Sequence, residues 1–264
     1  MTAGLDLEAY LDRVGYAGSL EPTMETLRGL HRAHVSTIPF ENLDILLGLP
    51  IRLDLDHLQR KLVVDRRGGY CFEQNTLFTE VLRGLGFELT TLAARVRFGS
   101  RTTGARSHMV ASVILEGGVW LSDVGFGGDG LLEPVSFDEP GVAVTQGSWT
   151  FRLDTEDELF VLRTIRRDRW TDLYAFDLQP QLPVDYEVAN HFTSTWPGSP
   201  FVSQITAQLT APTERLVLRG STFTVERASG EEREDVGERD QLLELLAERF
   251  GLVFPAGTRF VPPR

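Results

Sequence analysis

Near residue 87 the hydrophobic pattern of this chain changes period, and that change limits its fold more than any other feature. Before it, apolar residues recur at helical spacing. Leu7, Tyr10, Leu11 and Val14 fall at i, i+3, i+4 and i+7, one face of a helix. Pro22 suits a first helical turn, and a helix starting there buries Met24, Leu27 and His31 or His34. A third helix from about Asp54 turns Leu55, Leu58 and Leu62 inward. A fourth, from Cys71, carries Phe78, Val81, Leu82 and Leu85, with Gly84 and Gly86 at its end. After residue 87, "ELTTLAARVRF", "HMVASVIL" and "VWLSDVGF" are rich in β-branched and apolar residues, and "EGG" (116–118) is a turn between the last two. "SWTFRLD" and "ELFVLRTI" read as another hairpin.

Helices followed by strands, rather than the two alternating, imply an α+β fold with an antiparallel sheet. The segment "LQPQLPVDY", with Pro180 and Pro183, reads as a connector. Beyond it "SQITAQLT", "RLVLRG" and "TFTVER" read as strands, and a last helix after Asp240 turns Leu243, Leu246, Ala247 and Phe250 inward. The run "GEEREDVGERD" is so poor in apolar residues that it reads as a solvated loop. The expected division is a helical unit over 1–86, a β unit over 87–176, a connector over 177–190 and an α/β unit over 191–264.

Length and charge narrow the possible partners. At 264 residues the chain is long enough for two or three lobes. A net charge of −12 argues against nucleic acid, which needs a basic face. An anionic ligand would have to be met by local arginines or backbone N–H groups. The start "MTAGLDLEAY" has neither the basic residues nor the apolar run of a signal peptide. No apolar stretch approaches the ~20 residues that span a bilayer. These features point to a cytoplasmic, reducing location without membrane contact, and leave the oligomeric state open.

A single cysteine, Cys71 in "RRGGYCFEQN", excludes an intramolecular disulfide. Free cysteines are among the most buried residues, so packing is one reading of it. Two features favour the other. Gly68 and Gly69 permit a tight turn, with positive φ, and close approach to the backbone. The helix starting at Cys71 would set the thiol against a partial positive charge and unpaired N–H groups, which favour thiolate and can later hold an oxyanion.

A nucleophilic thiol needs a base. Of five histidines, His31 and His34 fall in a helical pattern as structural or surface residues, His57 lies among acidic residues, and His191 is ambiguous. His108 opens an apolar strand, where its ring needs a partner, and the best is Asp123 in "VWLSDVGFG". With a loop centred on Gly117–Gly118, His108 faces Gly127, and residues 127, 125 and 123 share its side. Parity therefore supports the pair, while the distance along the strands requires a bulge or a bend. In such a set His108 takes the Cys71 proton and Asp123 holds the ring.

Three stretches in register, "PFENLDI" (39–45), "RRGGYCFEQN" (66–75) and "SHMV…DVGFGG" (107–128), resemble the arylamine N-acetyltransferase family in its bacterial form. The resemblance implies a helical bundle, a β-barrel and an α/β lid, with a cysteine-protease-like triad of Cys71, His108 and Asp123. It implies acetyl-coenzyme A as co-substrate, no metal, and an aromatic amine or hydrazine as acceptor, served in ping-pong order through an acetyl-cysteine. It places Phe40, Tyr70, Val96, Phe126 and Phe201 near the acceptor. It likens Gly125, Gly127, Gly128 and Gly130 to a loop that admits coenzyme A, although Asp129 within that loop is awkward for a phosphate. Arg95, Arg97, Arg101 and Arg106 are alternative positive groups. Glu41 and Arg67 are expected to pair and brace the Gly-Gly turn, and Glu73 and Asn75 to cap or orient the helix. An amide synthase, a Cys-His-Asp hydrolase or a binding protein with an inert thiol are the competing readings.

Overall fold

The computed structural model describes residues 4–98, 104–237 and 239–261, with the backbone alone at Arg239. Arg101 lies outside the described residues. The first part is helical: α1 (Leu7–Val14), α2 (Met24–Thr37), a short strand β1 (Phe40–Glu41), α3 (Leu43–Leu46), α4 (Leu55–Leu58) and α5 (Cys71–Gly84). Pro22 precedes the second helix instead of starting it. Thr23 is the cap, its side chain accepting the Thr26 N–H. Asp54 caps α4, which widens into a π-helical stretch over Gln59–Val64. Tyr10, Leu27, Leu30, Leu58, Leu62, Phe78 and Val81 pack into one apolar core among these helices.

The next part is all β. Strands β2 (Glu88–Val96), β3 (His108–Leu115), β4 (Gly118–Ser122), β5 (Val135–Ser136), β6 (Ala143–Gln146), β7 (Trp149–Glu156), β8 (Leu159–Arg166) and β9 (Arg169–Pro180) form one antiparallel sheet. Its order is β5-β4-β3-β2-β9-β8-β7-β6, and it curls into a nearly closed barrel. Leu92, Val110, Leu121, Phe151, Leu162 and Phe176 fill its interior.

Where a connector was expected, β9 runs on to Pro180 and a full helix, α6 (Pro183–Thr195), follows. Pro180 ends the strand, whereas Pro183 at the first helical position starts the helix, because its missing N–H has no partner to lose there. A short α7 (Pro200–Ser203) leads into β10 (Thr206–Thr210), β11 (Glu214–Arg219), β12 (Thr222–Arg227) and β13 (Gly230–Asp235), and then α8 (Arg239–Phe250). The predicted solvated loop is thus in part a strand. Residues 230–235 pair with β12 and are exposed throughout, a charged edge that discourages further pairing. The final sheet has the order β1-β10-β11-β12-β13, so its first strand is supplied by the helical part. Asn42 fastens that junction: its Nδ2 donates to the carbonyls of Phe201 and Gln204, and its Oδ1 accepts from Thr206 N.

Candidate active site

Cys71 is the first residue of α5, almost wholly buried. Gly68 places it. A Cβ there would lie 2.0 Å from the Pro39 carbonyl oxygen, so only glycine lets the chain pass beside β1. Neither Gly68 nor Gly69 has positive φ, so close approach, not left-handed backbone, is the reason for the pair. Beneath the turn, Arg67 donates to Glu41 (Nη2–Oε1 2.7 Å) and to Asp44 (Nη2–Oδ1 2.8 Å). Lys61 joins Asp44 and Glu73 at 2.7 and 2.6 Å. Glu73 Oε2 accepts the Tyr70 N–H, which caps the helix. Burial pushes the Glu73 carboxyl up to about 7 against the pull of Lys61. The expected Glu41–Arg67 pair is present, within a larger network of three carboxylates and two cations.

His108 and Asp123 meet through a bend. The hairpin between β3 and β4 closes on Glu116 and Gly117, both with positive φ, and pairs Leu115 with Gly118. Continuing that register puts His108 opposite Gly125, two residues short of the expected partner, with parity unchanged. Pairing stops at Ala111–Ser122, after which the chain turns: Gly125 N donates to Asp123 Oδ1 at 2.9 Å, an Asx turn. The turn carries Asp123 back over the strand, and His108 Nε2 lies 2.7 Å from Asp123 Oδ2. Gly125 also has to be small, since its Cβ would meet the Cys71 Cα at 2.8 Å.

The other ring nitrogen, Nδ1, is left for the thiol. Cys71 and His108 line the same cavity, and the Cys71 Sγ lies 3.6 Å from the carbonyl of Ser107, the residue before His108. Burial alone would lower the His108 pKa. The adjacent Asp123 carboxylate overrides it and, with hydrogen bonds to Asp123 and Cys71, pushes the value up to about 10. Asp123 stays below the usual carboxylate range despite its own burial, held down by His108, Asn75 and the Gly125 amide.

Two further residues fix this set. Asn75 Nδ2 donates to Asp123 Oδ1 at 2.9 Å and to the Met109 carbonyl at 2.7 Å, while its Oδ1 accepts Val124 N. The residue expected to orient α5 therefore clamps α5 to both β3 and the Asp123 turn. His31, read from sequence as structural or surface, is fully buried and accepts the Asp123 N–H through Nε2 at 3.2 Å. Its Nδ1 donates to the Leu132 carbonyl at 3.0 Å, and burial lowers its pKa to about 4, so it remains the neutral tautomer. His34 continues the theme, linking Tyr10 to Gln74, which holds the Pro39 and Gly69 carbonyls.

Above the thiol opens a cavity of about 420 Å³ lined by Cys71, His108, Phe40, Val96, Phe126 and Phe201, with Phe98, Phe192 and Trp196 at its outer wall. Tyr70 is the exception among the expected wall residues. It lies behind, packed edge-on against Phe201 and Phe72 with its hydroxyl donating to Asn190. Phe98, Phe192 and Trp196 escaped the sequence reading, because a loop end and a helix outer face carry no catalytic pattern. Of the loop glycines only Gly125 reaches this cavity; Gly127 and Gly130 border a tighter one beside it. The amides of Gly125, Gly128 and Gly130 are taken by Asp123, Gln208 and Gly127. Asp129 is neutralised by Arg166 and by buried Arg215, which stacks on Trp149. Of the alternative arginines, Arg97 is committed to Glu156 and Asp172, Arg106 to Asp177, and Arg95 to the Gly104 carbonyl.

A buried thiol, imidazole and carboxylate joined in series is the arrangement of thiol-dependent acyl-transfer enzymes and hydrolases. Comparison with known proteins narrows the class. A model of the N-acetyltransferase family matches residues 23–258. The arylamine N-acetyltransferase of Mycobacterium tuberculosis (strain ATCC 25618 / H37Rv) is 39% identical over 254 residues, covering 94% of this chain and 89% of that one. The crystal structure of Nocardia farcinica arylamine N-acetyltransferase superposes with a TM-score of 0.89 at 41% identity, over 95% of this chain and 90% of that one. The Mycobacterium marinum arylamine N-acetyltransferase in complex with CoA gives a TM-score of 0.89 at 38% identity, over 93% and 92%. The chain belongs to the arylamine N-acetyltransferase family, and is an acyltransferase.

Proposed function

We propose that this enzyme transfers an acetyl group from acetyl-coenzyme A to the nitrogen of an arylamine, arylhydrazine or hydrazide, in ping-pong order through an acetyl group held on Cys71. The observation that supports the reading is that Cys71 and His108 share the wall of one aromatic pocket, with Asp123 hydrogen-bonded to the His108 ring behind it. The Mycobacterium marinum relative, whose structure contains CoA, supports the donor.

In the first half-reaction the Cys71 thiolate, its proton resting on His108, attacks the thioester carbonyl carbon. The bond from that carbon to the coenzyme A sulfur breaks, and the departing sulfur receives the proton from His108. The acetyl group remains on Cys71. In the second half-reaction the amine nitrogen attacks the same carbon, His108 takes the nitrogen's proton, and the Cys71 sulfur leaves. Asp123 acts in both halves by stabilising the imidazolium and fixing the ring's orientation. An aromatic amine fits because it is weakly basic and keeps its lone pair at neutral pH.

Phe40, Val96, Phe126 and Phe201 form the acceptor's apolar wall in this reading, with Tyr70 supporting Phe201 from behind. The Gly125–Gly130 loop gives the donor's pantetheine arm close passage to the backbone. A division into bundle (1–86), barrel (87–176), connector (177–190) and lid (191–264) accompanies it, with the nucleophile on the first and its base on the second. Initial rates measured while acetyl-coenzyme A and an arylamine are both varied should give parallel reciprocal plots. Intersecting plots would show a ternary complex and contradict the acetyl-cysteine route.

A further inference from the structure

The thiol pocket opens toward a group of arginines that the relay does not use. Phe126 lies edge-on to the His108 ring at 5.2 Å, and Phe98 stacks on Phe126 at 6.2 Å. Phe98 lines the thiol cavity and also a second, open cleft of about 580 Å³ formed with Arg166, Arg167, Arg169 and Thr171. The Arg166 and Arg219 guanidinium groups sit 5.6 and 5.5 Å from the Phe98 ring, and Arg219 itself lines the thiol cavity. Aromatic contacts thus run without a break from the base to a cationic corner.

These arginines differ in what answers their charge. Arg166 is held by Asp129 and Glu226. Arg167, Arg169 and Arg219 are exposed and form no ion pair among the described residues. Three unanswered cations in the two cavities that share Phe98 stand out in a chain of net charge −12. The local carboxylate without a cation is Asp168, exposed at the tip of the β8–β9 turn between Arg167 and Arg169. In the glycine loop the amides of Gly125, Gly128 and Gly130 are already engaged within the protein.

Resting on the donor proposed above, we infer that Arg167, Arg169 and Arg219, gathered around Phe98, bind the phosphate groups of the acyl donor. They set its affinity, whereas the glycine loop serves passage of the uncharged arm. Guanidinium groups suit this task because their fixed fork matches phosphate oxygens.

The test compares two acetyl donors, acetyl-coenzyme A and p-nitrophenyl acetate, which carries no phosphate. In the triple variant Arg167→Gln, Arg169→Gln and Arg219→Gln, KM for acetyl-coenzyme A should rise about tenfold or more. In the double variant Arg167→Gln and Arg169→Gln, whose residues lie outside the thiol cavity, acetylation of Cys71 by p-nitrophenyl acetate should be unchanged. Wild-type KM for acetyl-coenzyme A should also rise with ionic strength, and the variant should lose most of that dependence. Asp168→Asn, which removes the one opposing charge at a left-handed position that asparagine tolerates, should lower KM. An unchanged KM in the triple variant, or an equal loss with both donors in the double variant, would overturn the inference. Failure of wild-type Cys71 to accept acetyl from either donor would instead overturn the function on which it rests.

Discussion

Two buried polar assemblies meet at the start of α5, and they are closed in different ways. In one, Glu41, Asp44, Lys61, Arg67 and Glu73 answer one another, with Leu43 and Tyr70 amides taking remaining carboxylate oxygens. In the other, Asn75, His31, Asp123 and His108 form a series that ends at a sulfur on a cavity wall. The first assembly holds the Gly-Gly turn and has no free end. The second is tied down everywhere except at Cys71. Buried charge that closes on itself positions a chain; buried charge that ends at a cavity is available for chemistry.

Substitutions can break that contrast. Cys71→Ser removes only the free end, so acetyl transfer should fall on the order of 10⁴-fold or more while the melting temperature stays near wild type. Transfer retained in that variant would show that the series does not end where the chemistry happens. Asp123→Asn should reduce transfer on the order of 10⁴-fold, because the ring loses both its orientation and its counter-charge. A pH titration sharpens the same point. The His108 pKa is raised in the fold, so its contribution to stability is full below 6.5 and lost as pH rises through about 10. In the Asp123→Asn variant the largest upward pull is gone and burial is opposed by Cys71 alone, so ring NMR should find the His108 pKa far below its wild-type value, with most of that alkaline loss gone.

Lys61→Met acts on the closed assembly and should do the reverse. It leaves Glu73 buried without its cation and Asp44 with Arg67 alone, which costs about 3–5 kcal/mol in denaturant unfolding. Activity per folded molecule should stay within a few-fold. Asn75→Ala lies between the two, since Asn75 belongs to the series but also clamps α5. Loss of its hydrogen bonds should cost about 1–3 kcal/mol, read as a 10- to 100-fold drop in kcat with KM little changed.

Much of this contrast could be read in the sequence, and the misses have physical reasons. Parity put His108 and Asp123 on one side because a shift of two residues leaves parity intact. Their contact was not legible, because it depends on the Asp123–Gly125 Asx turn, which departs from the ladder. His31 looked structural because its helical spacing matched a core position; nothing local signals that its Nε2 meets an amide 92 residues away. Asn75 was seen at the helix start, but its partners lie on β3 and beyond β4. Helix starts shifted by a residue or two where a cap won over proline, as at Thr23. The strand at 230–235 was hidden because an edge strand exposed on its outer side needs no apolar residues. Arg219 is remote in sequence from Arg167 and Arg169, and only the barrel hairpin and the last sheet bring all three near Phe98.

The claim that the open series ends in a working nucleophile is tested most directly by intact-protein mass spectrometry after mixing with acetyl-coenzyme A. One acetyl group should appear, map to Cys71, persist in buffer and discharge onto an added arylamine. An unlabelled Cys71, or an acetyl group lost to water with no preference for the amine, would contradict the account.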